Sequence, residues 1–418
     1  MSAPDPLSLT DGPSDVERAV REILSDLRAR GDAALRELTL RFDRVDRASP
    51  RLTPREIAEA VGTLSDETRQ TLEAAHQRIA AFARAQREAL RAVDIELGEG
   101  VRVGHRFLPV ASAGCYVPGG RYPLPSTALM TIVPARVAGV PRIVACSPPG
   151  PDGVVHPLTV AAMILAGAQE IYCMGGVQAI GALAYGTETV PPVDVIVGPG
   201  NRYVVEAKRQ VFGRVGIDLL AGPTEVCIIA DHTADPATVA ADLLAQAEHD
   251  VDAIAVLLTT DATVAEAVRR QVEDGLRRLP TAEVARTSWT RHGEVIVVGN
   301  LEEACTRANA LAPEHLELHV VDPEPLIPRL TAYGTLFIGP FAGAVFGDYA
   351  AGPTHVLPTG RTARFSEGLW VGHFLRAAPF IRLSAAGAGR LAPVAMRFAE
   401  LEGLPAHRDA ARKRLLSS

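Results

Sequence analysis

Most of the features that would mark a membrane, secreted or nucleic-acid-binding protein are missing from this sequence. No stretch approaches the roughly 20 consecutive apolar residues needed to span a bilayer. The first ten residues, MSAPDPLSLT, carry neither a basic segment nor an apolar one, so no secretory leader is expected. Cysteine is scarce: 5 in 418 residues, namely Cys115, Cys146, Cys173, Cys227 and Cys305. Their number is odd and no pair is spaced as CxxC. That argues against a disulfide framework or a cysteine zinc site, and a reducing cytoplasm is the expected compartment. A net charge of −7 with mixed signs offers no basic footprint for DNA or RNA. Short-period repeats and low-complexity segments are absent as well. What remains is 47% hydrophobic and 22% charged, the profile of a soluble globular chain. At roughly 100–200 residues per domain it has room for two or three domains.

The pattern along the chain changes twice. Near the start, Ser14 and Glu17 have capping-box spacing. Val16, Val20, Ile23, Leu24 and Leu27 then recur at helical intervals, and Gly31 is placed to end the helix. A second helix is expected from about residue 65 to 93. Between about 130 and 220, short apolar runs alternate with helical segments: Ile143–Cys146, Ile171–Met174 and Val193–Val197. Each run ends in Gly, Pro or Ser, the reading produced by buried parallel strands with crossover helices. Val226–Ala230, Ala253–Leu258, Val295–Val298, Leu316–Val320 and Thr335–Ile338 form a second set. After about residue 370 the strand signal fades into a small helical tail. The fold class expected is α/β: two Rossmann-like domains with parallel-sheet cores, a helical N-terminal segment and a C-terminal helical tail.

Several segments carry groups that could do chemistry. In LLAQAEHD, Gln246 and His249 stand three apart, which on a helix puts an amide oxygen and an imidazole on one face. Such a pair suits a borderline divalent metal; an amphipathic helix end with His249 favouring the dipole explains it equally well. Asp348 and His355 lie in the Gly/Pro-rich stretch GDYAAGPTHVLPTG, and Glu402 and His407 in ELEGLPAH near the end. Taken singly, a solvated turn and an exposed tail account for these. APEHLE holds the best acid/base candidate, His315, since an unperturbed imidazole near ~6.5 can take a proton at neutral pH. Neighbours on an extended segment point in opposite directions, so Glu314 and His315 are expected to serve different protons. Gly175-Gly176 and Gly198-Pro199-Gly200-Asn201 follow apolar runs, and Gly119-Gly120 lies in another candidate backbone-approach loop. Strand-to-helix turns of this kind let backbone N–H groups approach a phosphate, but neither matches GxGxxG and no ribose-binding acid follows at the usual distance. Cys115 and Cys146 invite a thiolate mechanism; with no adjacent His or Lys to lower its pKa, Cys115 reads as a buried hydrophobe, and so does Cys146 at the end of an apolar run.

Together GCYVPGGRYPLPSTALM, GGVQAIGALAYGTE, VGPGNRYVVEAKRQVFGRVGIDLLAGPTEV, LLAQAEHD, APEHLE, GDYAAGPTHVLPT and EGLPAH resemble the histidinol dehydrogenases, from about residue 15 to 415. The resemblance implies a zinc ion held by Gln246, His249, Asp348 and His407, the last supplied by a second copy, and hence a homodimer with shared active sites. It implies His315 as the base for the alcohol proton and Glu314 as the residue activating water at the aldehyde stage. Tyr116, Gln178 and Asn201 would contact NAD; Thr224, His355 and Glu402, with the zinc ligands and His315, would complete the substrate pocket. The reaction implied is a four-electron oxidation of L-histidinol to L-histidine with two NAD.

Two positions depart from the family pattern, Thr224 where Ser is usual and Thr354 where Asn is usual. GCYVPGGRYP, AGPTEV and GLWVGHFL are also similar to a paralogous branch that oxidises other small polar alcohols such as sulfopropanediol; a structural protein without catalysis is the third reading. The domain division expected is a helical arm over 1–21, a discontinuous first domain over 22–115 and 224–369 with the metal and catalytic residues, an NAD-binding domain over 116–223, and a tail over 370–418 reaching the partner.

Overall fold

The computed structural model describes residues 14–119 and 122–415. Most of the expected N-terminal arm, residues 1–13, and Gly120 of the Gly119-Gly120 loop lie outside them. Helix α1 (Asp15–Arg30) begins where the Ser14 hydroxyl accepts the Glu17 N–H at 3.2 Å, and ends at Gly31, as the sequence predicts. Helices α2 (Asp32–Asp43), α3 (Pro54–Gly62) and α4 (Asp66–Ala89) follow. The complete capping box belongs to α3: Thr53 receives the Glu56 N–H, and the Glu56 carboxylate receives the Thr53 N–H. An antiparallel pair, β1 (Val93–Gly98) and β2 (Val101–Pro109), comes next.

The first parallel sheet is built from β3 (Ser112–Tyr116), α5 (Pro125–Ala138), β4 (Arg142–Ser147), α6 (Pro157–Ala166), β5 (Glu170–Cys173), α7 (Gly176–Tyr185), β6 (Val195–Val197), α8 (Arg202–Val211) and β7 (Gly216–Ile217). Its strand order is β5-β4-β3-β6-β7. The chain winds outward from β3 through β4 to β5, then returns to the other side of β3 with β6. The switch point therefore lies between the ends of β3 and β6, where crevices in such sheets take ligands. The second sheet repeats the plan with β8 (Glu225–Ala230), α9 (Pro236–Ala247), β9 (Ile254–Thr259), α10 (Ala262–Leu276), α11 (Ala282–His292), β10 (Gly293–Val297), α12 (Leu301–Leu311), β11 (His315–His319), β12 (Thr335–Ile338) and the short α13 (Ala344–Tyr349). Its order is β10-β9-β8-β11-β12, all parallel. Every strand the apolar runs predict is present, and the α/β class with two parallel-sheet cores holds.

Three features differ from expectation. The central strand β3 has no bulky apolar run, because SAGCY is made of small residues. The tail contains a strand: β13 (Leu375–Leu383) pairs antiparallel with β2 along its whole length before helices α14 (Ala385–Leu401) and α15 (Pro405–Leu415) form a hairpin. Finally, helices from the segment expected to group with residues 224–369 pack against the first sheet. Leu24, Leu27, Leu35 and Leu38 of α1 and α2 join the core on one face of the first sheet. Leu72, Ile79 and Ala80 of α4 join the core on its other face, and β3 is itself the middle strand of that sheet. The close approach has a visible cause: a Cβ at Gly181 of α7 would stand 2.7 Å from a Leu27 methyl. Amphipathic helices follow whichever apolar surface covers them, and sequence order does not say which sheet that is. Among the described residues no helix is long and apolar enough to cross a membrane.

Candidate active site

The catalytic candidates gather at the amino-terminal edge of the second sheet. The parallel register sets His315 opposite Val226, so the residues just before β11 meet those just before and at the start of β8. Glu314 sits beyond Ala312, a non-glycine residue in the left-handed region at φ 47°, a conformation that costs on the order of 1–3 kcal/mol and clusters at functional sites. The Glu314 carboxylate accepts the Glu225 N–H at 3.0 Å and the Thr224 hydroxyl. Thr224 in turn receives an amide N–H from Gln246 at 2.6 Å, so the Gln246 oxygen is the end left to accept a hydrogen bond or ligate a cation.

His315 is buried and its tautomer is fixed. Nδ1 donates to the Glu225 carbonyl at 3.0 Å, leaving Nε2 as the basic nitrogen, 3.7 Å from the Asp348 carboxylate. Glu314 is 3.6 Å from Nδ1, close enough for charge interaction but not for a hydrogen bond. The two neighbours thus act on each other electrostatically without a hydrogen bond between them. Burial disfavours the charged ring, but Glu314 and Asp348 more than reverse this and raise His315 to about 9. Burial pushes the Glu314 carboxyl up, with His315 partly offsetting it. For Asp348 burial is outweighed by His315, His355 and His249, which hold the carboxyl below its ordinary value.

Asp348 lies in α13, one short helical turn rather than an open loop. The backbone carbonyl of Asp348 receives Nδ1 of His355 at 3.0 Å, and Nε2 of His355 meets the Thr127 hydroxyl of α5 at 3.1 Å. This contact joins the two α/β units. His249 follows the end of α9 and is exposed, its N–H closing on the Gln246 carbonyl at 3.3 Å.

The cofactor candidates lie elsewhere, at the carboxyl ends of the first sheet. Tyr116 ends β3, is buried, and accepts the Gly176 N–H at the start of α7 at 3.2 Å. Gln178 is buried in α7 and donates to Asp43 of α2 at 3.2 Å. Asn201 caps α8, its side-chain oxygen taking the N–H groups of Tyr203 and Val204. Gly198 needs its φ of 117° and its missing side chain, since a Cβ there would lie 2.1 Å from the Tyr116 carbonyl. Glu402 and His407 are exposed on the α14–α15 hairpin, which hangs from the antiparallel ribbon through Ser384 N–H to Gly100 O at 2.9 Å.

Sequence reasoning missed Thr127, Glu225 and Asp43. Thr127 and Glu225 stand inside stretches already singled out, but nothing local marks them; Asp43 comes from a helix 135 residues away from its partner. Burial and the Glu314 charge raise Glu225 to about 7, and its carboxylate receives the Gly360 N–H at 2.9 Å. The thiol reading closes here. Cys115 and Cys146 are fully buried, and burial pushes both thiols far above their ordinary range.

With this geometry in view, comparison with known proteins decides the family. The histidinol dehydrogenase family model matches residues 9–415. The chain belongs to the histidinol dehydrogenase family. It is 49% identical to the histidinol dehydrogenase of Cereibacter sphaeroides over 96% of this chain and 92% of that one. A histidinol dehydrogenase homolog from Shouchella clausii is 44% identical over 97% and 96%. The crystal structure of histidinol dehydrogenase from Elizabethkingia anophelis superposes with a TM-score of 0.93 at 37% identity, over 98% of this chain and 94% of that one. Membership makes this protein a dehydrogenase, and it assigns both parallel sheets and the helical ends to the family architecture.

Proposed function

We propose that this enzyme oxidises L-histidinol to L-histidine through bound L-histidinaldehyde, with NAD as acceptor, as a step of histidine biosynthesis in the cytoplasm. The observation that carries the reading is His315: a buried imidazole with one nitrogen locked on a carbonyl and the other turned toward Asp348, beside Glu314. The conversion of alcohol and water to carboxylate releases two hydrides and three protons. His315 Nε2 takes the alcohol proton as the first hydride leaves. Glu314, whose raised affinity for protons makes it a stronger base once ionised, draws the proton from water attacking the aldehyde.

The donor set fits zinc. Gln246 offers a free amide oxygen, His249 an imidazole, and Asp348 a carboxyl kept ionised; the partner subunit's His407 completes the set. When bound, zinc supplies a fixed charge that orients the substrate's imidazole and amine, and NAD supplies the hydride acceptor. Tyr116, Gln178 and Asn201 line the NAD crevice at the switch point of the first sheet. Thr224, His355 and Glu402 shape the substrate pocket, Glu402 from the partner copy. Leu391, Val394, Phe398, Leu401 and Leu404 leave apolar surface exposed along the tail hairpin, which favours burial against a second copy.

An absorbance assay for NADH tests the substrate. Zinc-loaded protein is expected to yield close to two NADH per histidinol. Turnover with a sulfonated or aliphatic diol and none with histidinol would overturn the assignment and favour the paralogous branch. His315→Ala is expected to lose hydride transfer while retaining zinc, and wild-type turnover in that variant would remove His315 from the reaction.

A further inference from the structure

Strand β11 carries more polar side chains than the reaction uses. Along HLELH, Leu316 and Leu318 enter the core under α12, so alternation turns His315, Glu317 and His319 to the opposite face. Glu317 is 0% exposed and His319 2%. Facing them from α9 is Asp242, one helical turn before Gln246. His319 Nε2 stands 3.3 Å from Glu317 Oε2 and 3.8 Å from Asp242 Oδ2. The second of these is no hydrogen bond. Two donors about 2.0–2.2 Å from one zinc-sized ion at tetrahedral angles stand roughly 3.3–3.6 Å apart. The first is a long hydrogen bond, and both spacings lie near those of ligands around a shared ion.

The charges lead to the same place. Glu317 is buried and Asp242 partly so, and among the described residues neither carboxylate pairs with Lys or Arg. Asp242 is raised to about 7 by burial and by Glu317. The other oxygen of Glu317 accepts the Ala344 N–H at 2.7 Å, so Oε2 is the one that faces His319. His319 has a second, independent oddity: its Nδ1 is buried with no hydrogen-bond partner. Gly343 leaves the space open, since a Cβ there would crowd the Asp242 carboxylate at 3.1 Å.

We propose that Asp242, Glu317 and His319 form a second divalent-cation site, distinct from the Gln246–His249–Asp348 set and not part of the oxidation. Its donors, two carboxylate oxygens and one imidazole nitrogen, select a borderline ion of the zinc or manganese class, with water filling the remaining positions. A divalent ion cancels the buried charge of two ionised carboxylates. It also ties α9 to β11, the elements that carry Gln246 and His315, while Glu317 holds the start of α13 through the Ala344 N–H.

Elemental analysis of the full-length protein, stripped with a chelator, reloaded with cobalt(II) alone and desalted, tests the site. Wild type is expected to hold two cobalt per chain, and His319→Ala, Asp242→Asn and the double variant Gln246→Ala/His249→Ala one each. Equal cobalt in wild type, Asp242→Asn and His319→Ala overturns the proposal. So does a single wild-type cobalt that the Gln246/His249 variant loses. A single cobalt kept by that variant and lost in His319→Ala would instead remove the catalytic-site reading and leave this site standing. If His319→Ala does not fold, judged by circular dichroism, the isosteric Asp242→Asn carries the same comparison.

Discussion

At the scale of single residues, His315 combines two opposing influences: burial that disfavours its charge and two carboxylates that favour it. The carboxylates prevail, and the ring is raised to about 9. A base must be neutral to accept a proton, so activity is suppressed below that value and climbs as pH rises toward it. kcat/KM is expected to rise on a limb ending near about 9. Glu314→Gln removes one of these upward influences, and the limb should move roughly 1–3 units to lower pH, alongside a loss of aldehyde oxidation. A limb that stays in place in Glu314→Gln would contradict the electrostatic coupling at 3.6 Å. Much of this site was legible beforehand, because APEHLE and QAEH put their chemistry in few consecutive residues. Thr127 and Glu225 were not, since a threonine in a buried helix and a glutamate opening a strand look ordinary until the fold sets them against His355 and Glu314.

At the scale of elements, the turn after β6 is held by a clamp that its glycines alone do not reveal. The Lys208 ammonium gives a hydrogen bond to the Gly198 carbonyl at 3.0 Å, and Asp218 receives the Gly198 N–H at 2.7 Å. Lys208 and Asp218 also pair with each other, 2% and 0% exposed. Breaking a buried pair strands one charge, at a cost of about 3–5 kcal/mol. Lys208→Met is therefore expected to lower the melting temperature and raise the KM for NAD more than it changes kcat; an unchanged KM would detach the clamp from the cofactor crevice. Strands of continuous Val, Ile and Leu announced themselves, since both of their faces are buried. Strand β3 did not, because its small residues make room for Leu183 and Val193 beside Gly114. Nor did β13, a half-exposed antiparallel strand with Pro379 in its middle.

Across the whole molecule, the sequence indicated two parallel sheets but could not say which one the first four helices would cover, since that choice depends on tertiary contacts between distant segments. It also could not show that the tail would be anchored by a strand. If the partner subunit's His407 completes each site, inactive variants should complement one another. Mixing His315→Ala with His407→Ala chains, unfolded and refolded together, gives hybrid dimers with one intact site each, and about a quarter of wild-type activity is expected at equal input. No recovery would place His407 in its own chain's site. Deleting residues 385–418 should lose the ion held by Gln246, His249 and Asp348 while leaving both sheets folded, as read by metal content and circular dichroism.

The pairing of β2 with β13 has a consequence for how the enzyme comes into being. Its two strands come from near the start and near the end of the polypeptide, the kind of non-local contact that forms late and slowly. During translation the sheets and their helices can assemble as they emerge, domain by domain, but the ribbon that carries the hairpin waits for the last fifty residues. A nascent chain held on the ribosome can thus have β11 and its imidazole in place before the strand that anchors the hairpin is made. If the hairpin serves a second copy, as proposed above, completion of the site becomes a post-release event.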